Sequence, residues 1–144
     1  MPKRDKIHDP VKNALVNDGW TITADPYYIR HGTFELQADL AAERPIAAEK
    51  AGRKIVVEIK SFAGQSLISE FYVALGQYLT YLHFLQLTAP ERELFLAVSD
   101  SVFNDFFQLE GIQEMVQKHK PAIVVVNVET EEVVKWVNWY GIVK

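Results

Sequence analysis

The β-prone run 54–62 carries two charges: Glu58 and Lys60 stand among Ile55, Val56, Val57 and Ile59. Side chains alternate along a strand, so Glu58 and Lys60 leave by one face while Val57 and Ile59 leave by the other. Two charges on so apolar a strand are costly unless they are paired or hold a ligand. A Glu–Lys pair on a solvated sheet face is one explanation. Asp39 supports another. It ends the β-prone stretch Phe34–Asp39, nineteen residues before Glu58, so a hairpin can bring the two carboxylates to neighbouring strand ends. Carboxylates converging beside a strand carbonyl, such as that of Ile59, form a hard-oxygen site suited to Mg2+ or Mn2+. The lysine then orients or deprotonates a water, or neutralises the charge that accumulates on a phosphate during hydrolysis.

The elements that must position these groups follow from periodicity. Ile7, Val11 and Leu15 recur at helical spacing, Asp5 or Asp9 can serve the first turn, and Asn17-Asp18-Gly19 is a stop. Short strands are expected near Trp20–Thr23, Tyr27–Ile29 and Phe34–Asp39, separated by Asp25-Pro26 and His31-Gly32. Ile46–Lys50 and Lys54–Phe62 read as a hairpin turning at Ala51-Gly52. Ser66 can cap a helix over 67–88 that ends before Pro90, with Leu67, Phe71, Leu75 (or Ala74), Tyr78, Leu82 and Leu85 inward. Leu94–Val98 and Ile123–Val128 read as buried strands, Val102–Lys118 as a helix broken near Gly111, and Val133–Trp139 as a last strand after a turn at 129–131. The fold class is therefore α/β (α+β), a mixed sheet flanked by helices, with helix 67–88 as the crossover.

Composition sets the frame. A chain of 144 residues, 49% hydrophobic, suits one domain spanning 1–144 with its own core. The absence of cysteine removes disulfides, thiolate nucleophiles and cysteine-based zinc sites. No apolar run approaches a membrane span, and the charged start MPKRDKIHDP is no signal peptide, so the expectation is a cytoplasmic protein with no membrane partner. The net charge of −4 is uneven: residues 1–60 carry ten Lys+Arg against nine Asp+Glu, and 61–144 carry five against ten. This balance argues against a free-standing, high-affinity nucleic-acid binder; any DNA contact should use the first half, where Lys3-Arg4 with Lys6, and Lys50 with Arg53-Lys54, form small basic clusters that ordinary solvated surface also explains. There is no phosphate-binding glycine loop, nucleophile elbow or dinucleotide fingerprint. His31, His83 and His119 have no ligand-like spacing, and Glu43 and Glu49 lie in polar segments, Glu49 being a remote substitute metal ligand.

The Asp39…Glu58-x-Lys60 arrangement and the element order resemble the PD-(D/E)xK nuclease superfamily, with its restriction-endonuclease-like fold. The resemblance implies that Asp39 and Glu58 are metal ligands for magnesium or manganese and that Lys60 is the catalytic lysine; Ala38 stands where the motif has proline. Gln77 and Tyr81, four apart on one helix face, resemble the Gln-x-x-x-Tyr element of RecB-type nucleases that helps position DNA or the site. Asp5, His8 and Asp9 on the first helix could add a carboxylate or histidine near the metal, although capping and helix-dipole compensation also account for the aspartates.

At finer grain the chain resembles the XisH family, the fdxN element excision controlling factors of cyanobacteria. The blocks that carry this are KIHDPVKNAL, DGWTIT, LAAERPIAAEK, IVVEIKSF, ISEFYVALGQYL and VVKWVNW, in order along the chain. The resemblance implies a role beside a site-specific recombinase and a companion XisI protein in programmed excision of a DNA element. Two functions follow: a metal-dependent DNA endonuclease, or a non-cleaving accessory protein that binds a recombinase or a XisI-type partner. The acidic second half suits a protein partner, and Trp136, Trp139 and Tyr140 could anchor a homodimer or heteromer.

Overall fold

The computed structural model describes residues 6–31, 34–36 and 45–138. The first helix, α1 (His8–Asn17), buries Val11, Ala14 and Leu15. Pro10 lies in its first turn, where an N–H would have no intrahelical partner. Gly19 ends it with φ of 99°, a conformation open to glycine. Asp9 is in the first turn, but the capping position is Ile7 and no side chain caps it; Asp5 lies outside the described residues.

Strands β1 (Thr21–Ala24), β4 (Ile46–Lys50), β5 (Arg53–Ile59), β6 (Arg92–Ser99), β7 (Ile123–Asn127) and β8 (Glu132–Val137) form one sheet in the order β1-β4-β5-β6-β7-β8. β5, β6 and β7 run parallel, and the other pairings are antiparallel. The short strands β2 (Ile29–His31) and β3 (Phe34–Leu36) pair only with each other, as a separate ribbon. This corrects the expectation that the Phe34–Asp39 strand adjoins the strand of Glu58. That place belongs to β4, whose Ile46 pairs with Val57.

The β4–β5 hairpin turns through Ala51 (φ 52°) and Gly52 (φ 80°), the two left-handed residues a tight hairpin needs. The crossover helix α2 (Leu67–Thr88) starts as expected, with Ser66 Oγ accepting from Ser69 N at 3.3 Å. The helical region after β6 breaks earlier than Gly111. It divides into α3 (Asp100–Asn104), a 3-10 turn at Phe106–Gln108 and α4 (Glu110–His119). Phe103, Phe106 and Phe107 all turn into the core across this break. Gly111 sits in the first turn of α4, where it costs little.

The sheet is covered on both faces. On one side Val56, Leu94, Leu96 and Val98 pack against α2, α3 and the aromatic turn. On the other, Ile55, Val57, Ile59, Phe95 and Val124 pack under α1 with Trp20. Central parallel strands buried on both faces account for their near-continuous apolar sequence.

Candidate active site

Alternation along β5 puts Val56, Glu58 and Lys60 on the α2 face and Ile55, Val57 and Ile59 on the α1 face. Glu58 lies in the interior of the sheet, level with Leu96 of β6, and is only 3% exposed. Its Oε1 has no hydrogen-bond partner among the described residues. Loss of hydration pushes its pKa up from 4.5 to about 8, although the Lys60 charge pulls the other way. A solvated Glu–Lys surface pair is therefore not what this strand holds: the carboxyl is dry, and Lys60 is half-buried. The Lys60 N–H donates to the Ala97 carbonyl at 3.1 Å, which extends the β5–β6 pairing past Ile59.

Just beyond, Phe62 adopts φ of 53°, unfavourable for a bulky residue. Its ring packs on Phe106 at 5.9 Å and edge-on against Phe107 at 5.5 Å. Such strain persists where surrounding packing over-determines it. Here it turns the chain sharply away from the sheet directly after the Glu58–Lys60 pair.

Helix α2 lies over this face. Gln77 is half-buried, and its Oε1, like that of Glu58, is buried without a hydrogen-bond partner. Tyr81 is buried in the same layer. Tyr78, expected only to fill the core, has a further task. Its hydroxyl donates to Leu94 O at 3.2 Å and accepts from Ala122 N at 2.9 Å, pinning α2 across the parallel strands. Burial raises its pKa above 10, against the Ala122 hydrogen bond, and the Glu58 charge adds to the rise. Tyr78 thus lies within electrostatic reach of Glu58. Its sequence signal was slight, since a tyrosine at an inward helical position reads as core.

The structure does not bring the α1 candidates to Glu58. His8 is buried at 4% exposure, and its Nε2 lies 3.2 Å from the Asp25 carboxylate, which also accepts from Lys12 Nζ at 2.8 Å. Desolvation pushes Asp25 up, but hydrogen bonds and charge from Lys12 and His8 outweigh it and hold the carboxyl below its ordinary range. This cluster ties α1 to the end of β1, and Asp25, read as a turn former, was missed because its partner lies 17 residues away. Asp25→Ala is expected to cost about 1–3 kcal/mol by stranding a buried histidine, measured by urea unfolding at pH 7. A depressed carboxyl pKa stabilises above the unfolded value of 3.8, so the difference from wild type should shrink as pH falls below it. Asp9 is exposed.

Glu49 lies at the opposite end of β4, paired with Lys54 and 4.0 Å from Arg92, and is no substitute ligand for the Glu58 end. The basic hairpin Lys50, Arg53 and Lys54 also lies at that far end, and Lys50 is engaged by Asp18. Trp136 packs at a tilt against Trp20 at 5.8 Å and edge-on against Phe95 at 4.9 Å, so it belongs to the α1-side core rather than to a free anchor. Asp39, Glu43, Trp139 and Tyr140 lie outside the described residues. β4 begins at Ile46, beside the Glu58 end of β5.

Among the described residues, no three His, Asp or Glu side chains converge on one point. The oxygen donors nevertheless suit a hard divalent cation: a buried carboxylate oxygen without a partner, with a buried amide oxygen without a partner on the helix above. No helix among the described residues is long and apolar enough to cross a membrane.

A crystal structure of an XisH family protein from Nostoc punctiforme PCC 73102 is 42% identical, covers 92% of this chain and 99% of its own, and superposes with a TM-score of 0.84. That of an fdxN element excision controlling factor protein from Anabaena variabilis is also 42% identical, covering 91% of this chain and 97% of its own, with a TM-score of 0.84. No curated protein matches. The XisH protein family model matches residues 1–134, a span that runs from before α1 into β8, and the chain belongs to the XisH family.

Proposed function

We propose that the chain is a controlling factor for excision of a DNA element, built on a PD-(D/E)xK nuclease framework with Mg2+- or Mn2+-dependent endonuclease activity. The observation that carries the nuclease part is Glu58: a carboxylate with 3% exposure and an oxygen without a partner, two residues from a lysine on the same strand face. A structural ion pair gains nothing from such burial, whereas a bound cation would supply the partner that the buried oxygen lacks. Glu58, with Asp39, would hold the cation, and a divalent cation when bound supplies Lewis-acid activation and charge neutralisation at the phosphate. Lys60 presents its ammonium to the non-bridging phosphate oxygens, where negative charge grows as water attacks. Gln77 positions the attacked strand through its free amide oxygen or completes the oxygen set. The excision role rests on the family and on the name borne by the Anabaena variabilis relative.

The test is a cleavage assay with branched, single-stranded and duplex DNA, with Mn2+, Mg2+ or EDTA. Wild type should give product on at least one substrate with cation and none with EDTA, and Glu58→Ala and Lys60→Ala should give none. Cation-independent product, no product on any substrate, or full activity in Glu58→Ala would overturn the nuclease reading. The accessory reading, in which the fold binds a recombinase or a XisI-type protein without cutting, predicts that excision survives Lys60→Ala.

A further inference from the structure

The outward face of α2 is used neither by the core nor by the proposed site. Glu70 is the only charged residue of this helix. Phe71, Ala74, Tyr78, Tyr81 and Leu85 point inward. On the opposite side, at helical spacing, stand Ile68, Tyr72, Gly76, Leu79, His83 and Leu87. Among the described residues, Ile68 is 44%, Tyr72 66%, Leu79 42% and Leu87 56% exposed. A surface helix ordinarily carries its charges there, and one apolar all round is ordinarily covered. These side chains present on the order of several hundred Å2 of contiguous apolar surface, the scale that marks an interface.

Gly76 is an independent pointer. A glycine in mid-helix costs about 1 kcal/mol relative to alanine. A Cβ there would meet nothing within 4 Å among the described residues, so none of them requires its absence.

We infer that α2 is the interface of a homodimer, two copies packed antiparallel about a two-fold axis passing between Gly76 and Leu79. The stripe is self-complementary under that operation. Leu79 of each copy enters the gap left by Gly76 of the other, Tyr72 faces His83, and Ile68 faces Leu87. An isologous interface requires this reciprocity. The pairing also places Leu87 at the mouth of an apolar cavity of about 450 Å3, lined by Ile68, Phe71, Tyr72, Phe106, Leu109 and Met115, at the start of the partner's α2. Charge favours the same surface: copies with a net charge of −4 repel one another, and this strip lets them approach without opposing like charges.

The experiment is light scattering and sedimentation on the full chain, with cross-linking. Because the protein has no cysteine, the double variant Ile68→Cys/Leu87→Cys reports geometry directly. Wild type should be dimeric at micromolar concentration, and the double-cysteine variant should form an intermolecular disulfide on oxidation, while Ile68→Cys alone should not. Leu79→Glu, at an exposed position, should weaken association by ~10-fold or more with unchanged circular dichroism. A monomeric wild type, a dimer indifferent to Leu79→Glu, or no cross-link in the double variant would overturn the inference.

Discussion

Glu58→Gln is expected to stabilise the protein by about 3 kcal/mol at pH 7, raising its melting temperature by roughly 5–10 °C. Burial lifts the Glu58 carboxyl pKa to about 8 in the folded protein, against 4.5 in the unfolded chain. Between those values the unfolded state has released the proton and the folded state retains it. The unfolded chain binds fewer protons, so stability falls as pH rises through this window. A raised folded pKa therefore leaves stability intact below 4.5 and erodes it up to about 8, by ~1.4 kcal/mol per pH unit. The amide has the same shape and no charge to desolvate, so the variant should lack this slope. Its advantage should vanish near pH 4 and level off above pH 8 at about 5 kcal/mol. Thermal or urea unfolding across pH 4–9 in EDTA measures it; an advantage independent of pH would mean that the Glu58 carboxyl is not dry. A gain in stability on removing a charge from a functional site is the usual exchange between stability and activity.

The apparent affinity for Mn2+ should rise about tenfold per pH unit between pH 6 and 8, then flatten. A carboxylate must be ionised to hold a cation, so uptake by a Glu58 protonated below pH 8 releases one proton. Titration calorimetry in buffers of different ionisation enthalpy should show that release at pH 7 and almost none at pH 9. Saturating cation binds only the folded state and should restore the stability lost to Glu58. Glu58→Gln should abolish the pH-dependent binding. Proton-independent affinity would place the cation elsewhere.

The parts of this architecture legible in the sequence are those set by local chemistry. The β-branched run with Glu58 and Lys60 defined β5 and the face each side chain takes, and Ser66 and Pro90 bracketed α2 within a residue. What was not legible depends on partners distant in the chain. Ile29–Leu36 has the composition of sheet strands, yet β4 takes the place beside β5 and β2 pairs with β3 in a separate ribbon. The break at 105–109 was hidden because Phe103, Phe106 and Phe107, which join Phe62 and Phe71 in one cluster, are spaced as one face of an unbroken helix would have them. The His8–Asp25 bond joins α1 to a turn, and nothing at either position announces it. For the candidate site, alternation fixed the shared face of Glu58 and Lys60, but only the packing of α2 and β6 shows that Glu58 is dry and that Tyr78 lies near it.

Anomalous diffraction from crystals soaked in Mn2+ above pH 8, where Glu58 is ionised, tests the central claim most directly. The proposed site predicts an anomalous peak within bonding distance of Glu58 Oε1, shared with the Asp39 carboxylate. A clean map around Glu58 at saturating Mn2+, with its Oε1 still without a partner, would contradict it.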